Sequence, residues 1–153
     1  MELFEKIKTF LDEEGVEYEV SEHERVHTSE EAATVREQKV EEGAKALIFR
    51  SEGKFYMFVI AGHKKIDYKK AKKAIEKDRI SFATPEEVKQ VSGVEIGAVP
   101  PLGNLFNLPI YYDNSVLESE YACFSAGSHF KSIKLKSKDL VEAVQPVLGD
   151  FSQ

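Results

Sequence analysis

Cysteine and tryptophan are nearly absent from this chain of 153 residues, which has one cysteine and no tryptophan. The single cysteine, Cys123, excludes an internal disulfide framework and any zinc or iron–sulfur site built from several cysteines. No apolar run approaches the roughly 20 residues that span a bilayer, and the acidic start at residues 1–5 does not resemble a secretion signal. We therefore expect a cytoplasmic protein held together by a hydrophobic core.

An excess of basic residues is also missing, since 27 Asp and Glu outnumber 21 Lys and Arg and give a formal net charge of −6. This balance argues against a protein that coats nucleic acid through many phosphate contacts. The charge is uneven, because residues 1–42 hold fourteen acids against five bases, whereas residues 63–79 hold eight bases against three acids. The basic segment could steer an anion locally, or it could be the solvated face of a lysine-rich helix.

The apolar pattern predicts helices and short strands in irregular alternation. Helical spacing from Phe4 to Leu11 predicts a first helix that ends at Gly15. Further helices are predicted from the capping box at residues 28–31, from Asp67 to about residue 77, from Thr84 to Gly93, and from Ser137 to Leu148. Strand candidates are residues 16–20, 44–50, 55–61, 79–83, 95–99, 109–113, 121–125 and 132–136, with a hairpin turn at 51–54.

This order of elements does not form a βαβ series. We therefore expect an α+β fold, with about seven strands in a curled, mixed, mostly antiparallel sheet and helices packed outside. No low-complexity linker divides the chain, so residues 1–153 are predicted to form a single domain.

One segment, His23-Glu24-Arg25-Val26-His27, matches the H-E-x-x-H pattern of zinc proteases. That chemistry requires both histidines one turn apart on a helix, with the glutamate as general base. Here the segment lies between a predicted strand and a predicted helix start, so we expect a loop and no metal. His27 is then a neighbour of the helix cap or part of a pocket wall.

Lys45 opens an apolar segment and shares a strand face with Leu47 and Phe49. A lysine at the first position of a strand often lays its stem on apolar surface while its ammonium group reaches water. The other interpretation is a functional amine. It gains support from the loop at residues 97–103, whose glycines and prolines fix the backbone and leave amide groups able to face a ligand.

Other catalytic patterns are weak. Cys123 is predicted to lie in a buried strand, where a small apolar residue is more common than a nucleophile. The small residues 125–128 at the end of that strand could form a pocket rim or a plain turn.

As a set, several segments resemble the YbaK/ProX family, which is related to the editing domain inserted in bacterial prolyl-tRNA synthetases. The resemblance covers roughly residues 16–145, and its sharpest elements are the lysine that opens an apolar strand and the G-x-x-x-P-L-G loop. The segments that carry it are residues 27–33, 43–48, 81–88, 97–103 and 125–127.

The resemblance implies a trans-acting aminoacyl-tRNA deacylase, which hydrolyses the ester of a wrong amino acid at the tRNA 3′ end without metal or other cofactor. By position, Lys45 and Gly97 correspond to the essential lysine and the loop glycine, and the substrate 2′-hydroxyl would assist the attacking water. The implied substrate-binding residues are His27, Ala98, Pro101, Ser125 and Gly127. The uneven charge, rather than the resemblance, indicates Lys69, Lys70 and Lys73 of the basic segment 63–79 as the tRNA-steering residues. The implied partners are an aminoacyl-tRNA and a synthetase.

Two departures from the family pattern, Ala46 and Ala126, leave the substrate open among cysteinyl-, alanyl-, prolyl-, seryl- and threonyl-tRNA, because small side chains differ by one methyl or one polar contact. The alternative function is a non-catalytic module of the same fold that binds tRNA ends, a nucleotide or a synthetase. Zinc-dependent hydrolysis is the third hypothesis.

Overall fold

The computed structural model describes residues 2–23 and 39–153. Within these residues the helices are α1 (Leu3–Glu13), α2 (Tyr68–Ile75), α3 (Pro85–Ser92) and α4 (Ser137–Val144). The strands are β1 (Tyr18–Glu22), β2 (Ala44–Ser51), β3 (Lys54–Ala61), β4 (Ser81–Phe82), β5 (Ile110–Asp113), β6 (Tyr121–Ser125), β7 (Lys131–Lys136) and β8 (Val147–Gly149). Short 3₁₀ helices occupy Val40–Glu42, Gly103–Phe106 and Asn114–Glu118. No helix in this part of the chain is long and apolar enough to cross a membrane.

The strands form two sheets. The smaller sheet has the order β1-β7-β6 and is antiparallel throughout. The larger sheet has the order β4-β2-β3-β5-β8, in which β5 runs parallel to both of its neighbours and the remaining pairs are antiparallel. A parallel bridge between Gly43 and Cys123 connects the start of β2 to β6 in the smaller sheet. The predicted α+β class with a mostly antiparallel, mixed arrangement is thus confirmed.

The hairpin of β2 and β3 separates two hydrophobic clusters. Ala44 and Ile48 of β2 belong to the main core, which also contains apolar residues of α1, α3 and α4. The alternate residues Leu47 and Phe49 belong to a second cluster, which is covered by Ala71 and Ile75 of α2. Side chains alternate along a strand, so Lys45 lies on the side of the second cluster, as the sequence predicted.

Two helix starts follow their sequence signals closely. The Asp67 carboxylate accepts hydrogen bonds from the first-turn amides of α2. At the start of α3, Thr84 and Glu87 form a reciprocal capping box, and Gly93 ends the helix with a φ of +80°. Each cap satisfies amide groups that have no partner inside the helix.

The prediction of a strand at residues 95–99 is wrong. Gly97 has a φ of +86°, which interrupts an extended strand, and the Ala98 amide donates to the Glu95 carbonyl in a tight turn. The apolar residues of this segment include Ile96, which is 51% exposed. The segment is therefore a turn that enters the 97–103 loop.

The predicted last helix is also too long. It ends at Val144 because Gln145 adopts a left-handed φ of +54° and Pro146 has no amide to continue the helix. Leu148, counted as helical, instead lies in the edge strand β8. Ser137 is the first helical residue, with no side-chain cap at the preceding Lys136, so the predicted Ser137 cap is wrong.

The C-terminal residues are anchored to a buried carboxylate, Asp113, at the end of β5. It accepts hydrogen bonds from the Phe151 amide at 2.7 Å, the Ser152 hydroxyl at 3.0 Å and the Ser115 amide at 3.1 Å. Burial alone would raise the pKa of Asp113, but these hydrogen bonds outweigh it and lower the pKa below its ordinary value of 3.8. The ionised carboxylate therefore stabilises the fold.

We expect Asp113→Asn to lower the free energy of unfolding by about 1–3 kcal/mol, because its amide group cannot accept from all three donors. Because the folded-state pKa is lowered, the stabilisation is fully present above about pH 4 and is lost as the pH falls through the folded-state pKa. Urea denaturation from pH 3 to pH 7 measures it. The exposed Glu118→Gln is the control, and an equally pH-dependent stability in wild type and Asp113→Asn would contradict this role.

Candidate active site

The Lys45 ammonium group is held at the far end of the β2–β3 hairpin. Lys45 lies opposite Ile60 in the strand register, is half-buried, and donates from Nζ to the Gly62 carbonyl at 3.2 Å. The Gly62 amide in turn donates to the Gly43 carbonyl at 2.7 Å, which closes this end of the hairpin. The cation is therefore fixed against the backbone, rather than extended freely into solvent.

The strand that carries Lys45 lies beside the strand that carries Ser125. Gly43 and Cys123 form a parallel bridge, and Lys45 and Ser125 each follow one bridge residue by two positions. In a parallel pairing, residues equally far beyond a bridge lie at similar heights along the strands. The start of β2, which carries the predicted lysine, thus lies near the end of β6, which carries the predicted pocket rim.

The loop at residues 97–103 is joined to the same rim by backbone hydrogen bonds. The Gly127 amide donates to the Ala98 carbonyl at 3.1 Å, and the Ala98 amide donates to the Glu95 carbonyl at 3.0 Å. Ala98 is buried, and both of its backbone polar groups are engaged within the protein. Its role in the structure is to attach the loop to the rim, while its predicted contact with substrate stays a prediction.

A second anchor holds the loop at Pro101. The hydroxyl of Tyr112, a fully buried residue of β5, donates to the Pro101 carbonyl. Burial raises the pKa of Tyr112 well above its ordinary value, so the hydroxyl remains a donor over the whole physiological range. The adjacent Leu102 is also fully buried. The loop is thus fixed on both sides of Val99 and Pro100, and the predicted contact of Pro101 with substrate stays a prediction.

His129 is a residue of this region that the sequence analysis missed. Its ring is buried, and its Nε2 lies 3.3 Å from a carboxylate oxygen of Glu95, two residues before the 97–103 loop. Its Cε1 lies 3.2 Å from the place that a Cβ would occupy on Gly97. The only sequence signal was its position two residues after Gly127, which by itself does not distinguish a buried ring from an exposed one.

His27, a predicted substrate-binding residue, lies outside the described residues, as does the predicted helix at residues 28–35. His23 directly follows β1, and its Nε2 lies 2.5 Å from the Ser132 hydroxyl. Ser132 is the residue that lies opposite Ser125 in the register of β6 and β7. Among residues 2–23 and 39–153, no group of three metal-ligating side chains could hold a metal ion.

The three predicted steering lysines differ in their surroundings. Lys69 and Lys73 are exposed on α2. Lys70 donates to the Asp150 carboxylate and to the Ser152 carbonyl, both at 2.9 Å. Lys70 therefore attaches α2 to the C-terminal segment, whatever its part in steering.

Residues 23–143 match the model of the aminoacyl-tRNA editing domain family. The chain is 29% identical over 152 residues to the multifunctional Ser/Thr-tRNA deacylase ProXp-y of Escherichia coli, covering 96% of this chain and 91% of that protein. It is 32% identical over 141 residues to a proline–tRNA ligase of Staphylococcus haemolyticus, covering 90% of this chain and 24% of the ligase. A solved structure described as a candidate trans-editing enzyme for prolyl-tRNA synthetase superimposes with a TM-score of 0.87 at 27% identity, covering 100% of this chain and 98% of the other.

The chain therefore belongs to the aminoacyl-tRNA editing domain family. This confirms the resemblance found in the sequence and the assignment of the protein as an enzyme, a trans-acting aminoacyl-tRNA deacylase.

We expect Gly97→Ala to lower the single-turnover rate of deacylation at least about tenfold relative to its matched control. The reason is that the added methyl enters the space beside the His129 ring, at 3.2 Å from its Cε1. The matched control is Gly53→Ala in the hairpin turn, where φ is +78° and nothing lies within 4 Å of the added methyl. Both variants place alanine in a left-handed conformation and should lose about 1–2 kcal/mol of stability. Single-turnover rates and thermal denaturation test this, and equal turnover in the two variants would assign Gly97 only to the turn.

Proposed function

We propose that this deacylase removes a small, wrongly attached amino acid from the tRNA 3′ end in a site bounded by Lys45, the Gly97 turn and residues 125–127. The carrying observation is the Lys45 ammonium, held on a half-buried sheet face in a chain whose residues 23–143 match the editing family. The backbone connections from Gly127 to Ala98, and the bridge from Gly43 to Cys123, support one site formed by these segments.

The proposed chemistry is hydrolysis of an ester by water. The water oxygen attacks the ester carbonyl carbon, the tetrahedral oxyanion collapses, and the bond to the ribose oxygen breaks. That oxygen leaves with a proton, which gives free amino acid and intact tRNA. An aminoacyl ester is already activated, so positioning of water and stabilisation of the oxyanion can supply the catalysis. The ribose hydroxyl next to the ester assists the water, in keeping with the family resemblance.

Lys45 and the Gly97 turn have distinct roles in this proposal. The ammonium stabilises negative charge on the tetrahedral intermediate or holds the adjacent phosphate, since a cation strengthens such hydrogen bonds. The Gly97 backbone approaches the ester closely because glycine has no side chain to keep the reacting atoms apart. Ser125 and Gly127 border the amino-acid pocket, and His27 contributes to its wall.

For the amino acid, we propose serine and threonine. The deacylase ProXp-y, which aligns with 96% of this chain, is named for seryl- and threonyl-tRNA. The half-buried Ser125 could pair with a substrate hydroxyl, and a site built for a hydroxyl disfavours analogues that lack one. We further propose a cytoplasmic location, no metal requirement, and assistance from a synthetase, because the net charge of −6 favours only weak affinity for tRNA.

The decisive experiment incubates the purified protein, with and without a chelator, with tRNAs charged with Ser, Thr, Ala, Pro and Cys. We expect seryl- and threonyl-tRNA to be hydrolysed fastest and the chelator to have no effect. Hydrolysis confined to another amino acid would overturn the substrate assignment. Binding without hydrolysis of any of them would favour the non-catalytic module, and inhibition by the chelator would favour zinc chemistry.

Lys45→Ala should lower the single-turnover rate by about 10²–10³, the loss typical for a residue that stabilises an oxyanion. Lys45→Arg should also lose deacylase activity, because a planar guanidinium does not fit the site of a compact ammonium. Lys54→Ala at the exposed start of β3 is the control for the loss of one positive charge. Circular dichroism checks the fold, and full activity of Lys45→Ala would remove this residue from the mechanism.

Reversal of Lys69 and Lys73 to glutamate should raise KM and weaken its salt dependence, with little change in the single-turnover rate at saturating tRNA. The physical reason is that exposed charges on α2 act on encounter rather than on the transition state. Lys70→Glu is measured separately, since it breaks the ion pair with Asp150. If the double variant keeps the wild-type salt dependence of KM, these lysines only form a solvated helix face and do not steer the tRNA.

A further inference from the structure

Three aromatic rings meet at the edge of the larger sheet, where β4 pairs with β2. Phe49 is fully buried, whereas Tyr68 and Phe82 are 41% and 46% exposed. Phe82 stacks on Phe49 with ring centroids 4.4 Å apart and an interplanar angle of 30°. Tyr68 meets both other rings edge to face, with centroid distances near 6 Å. We call Tyr68 and Phe82, supported by Phe49, the aromatic platform.

The platform presents one ring face to solvent. One face of Phe82 is covered by Phe49, so its exposed area belongs mainly to the opposite face and the ring edge. Tyr68 stands nearly perpendicular to Phe82 and forms a side wall. A planar group from solvent can stack on the exposed face of Phe82 in the corner formed by the two rings.

A groove beside the platform brings cationic side chains to it. Its volume is about 540 Å³, and it lies between α2 and the chain that leads into β4. The charged residues that line it are Arg50, Lys72 and Arg79, together with Glu52 and Asp78. Ion pairs join Arg50 to Glu87 at 2.9 Å and Glu52 to Lys77 at 2.8 Å. Lys72, Asp78 and Arg79 come from the basic segment 63–79, so this segment supplies two of the three cations that line the groove.

Stacking rings next to a groove that contains cationic side chains match the chemistry of single-stranded nucleic acid. Bases stack on exposed aromatic faces, while the phosphates follow nearby cations. An apolar protein partner would use the rings but not the surrounding charge. Both features together therefore favour a nucleic-acid strand as the occupant.

The platform also lies on the sheet face that carries Lys45. Phe49 and Lys45 belong to the same strand and are four residues apart, so their side chains point to the same side. The rise along a strand places their backbones about 13 Å apart. Because Ala71 and Ile75 of α2 cover the apolar side chains of this face, a strand whose 3′ end lies at Lys45 would reach the platform over the outer surface of α2.

We propose that the aromatic platform binds an unpaired base of the tRNA 3′ strand, while Lys72 and Arg79 bind its phosphates. This inference rests on the proposed function, since it takes the Lys45 end of the face as the place of the ester. It assigns recognition of the strand to a surface separate from the groups that act on the ester.

The chain contains no tryptophan, so Phe82→Trp introduces a single fluorescent reporter that keeps an aromatic face. The probe is an uncharged, single-stranded RNA with the sequence of the tRNA 3′ end. We expect saturable quenching of this tryptophan, with an affinity that decreases as salt increases. No quenching at any RNA concentration, with the fold intact by circular dichroism, would overturn the proposal.

Phe82→Leu keeps apolar contact with Phe49 but removes the aromatic face, and Tyr68→Ala removes the side wall. Each should raise KM for aminoacyl-tRNA about tenfold, the size expected for loss of one stacked base, and leave kcat unchanged. Hydrolysis of a 3′-aminoacyl-adenosine should be unaffected in both variants. Leu148→Ala, an exposed apolar residue of β8 at the opposite sheet edge, is the control.

The outcomes separate this inference from the proposed function. If wild-type protein hydrolyses no aminoacyl ester, the proposed function fails, and the RNA quenching still reports on the platform. If wild-type protein hydrolyses the ester but Phe82→Leu keeps the wild-type KM for isolated tRNA, the platform does not bind the strand. In that case, a KM effect that appears only in the presence of a synthetase would assign this surface to a protein partner.

Discussion

The register between β2 and β3 is the constraint on which the other features depend. It places Lys45 opposite Ile60 and directs its ammonium group to the Gly62 carbonyl at 3.2 Å. A shift by one residue would transfer Lys45 to the face of Ala44 and Ile48, inside the main core, where an ammonium would lose its hydration. Burial of two different clusters on the two faces therefore fixes the register and, with it, the position of the amine.

The 97–103 loop meets a different requirement, since it must present backbone at a defined place without belonging to a sheet. Its attachments are made by two backbone groups: the Ala98 carbonyl, which accepts from Gly127, and the Pro101 carbonyl, which accepts from Tyr112. These hydrogen bonds hold the backbone on both sides of Val99 and Pro100. The mechanism that we propose uses no side-chain nucleophile and depends on positioning, so a restrained loop is consistent with it.

Charge and aromatic surface are distributed in a way that suits a substrate much larger than the reacting ester. The acidic residues concentrate before residue 42, and the basic ones between residues 63 and 79. A net charge of −6 weakens the general attraction to nucleic acid. The basic segment and the aromatic platform would then favour one orientation of the tRNA as it approaches the protein. Affinity would then come from a few local contacts, which allows release of the tRNA after hydrolysis.

The sequence by itself determined the α+β class, the β2–β3 hairpin, the caps at Asp67 and Thr84, and the face of Lys45, because local periodicity and turn chemistry fix these features. The predicted strand at residues 95–99 and the predicted continuation of the last helix through residues 145–148 were wrong. In both segments a left-handed backbone, at Gly97 and at Gln145, overrides the apolar pattern. Only the tertiary structure decided that His129 packs beside Gly97, that Lys70 pairs with Asp150, and that Tyr68 meets Phe82. These contacts join residues distant in sequence, and no local propensity encodes which of them become neighbours.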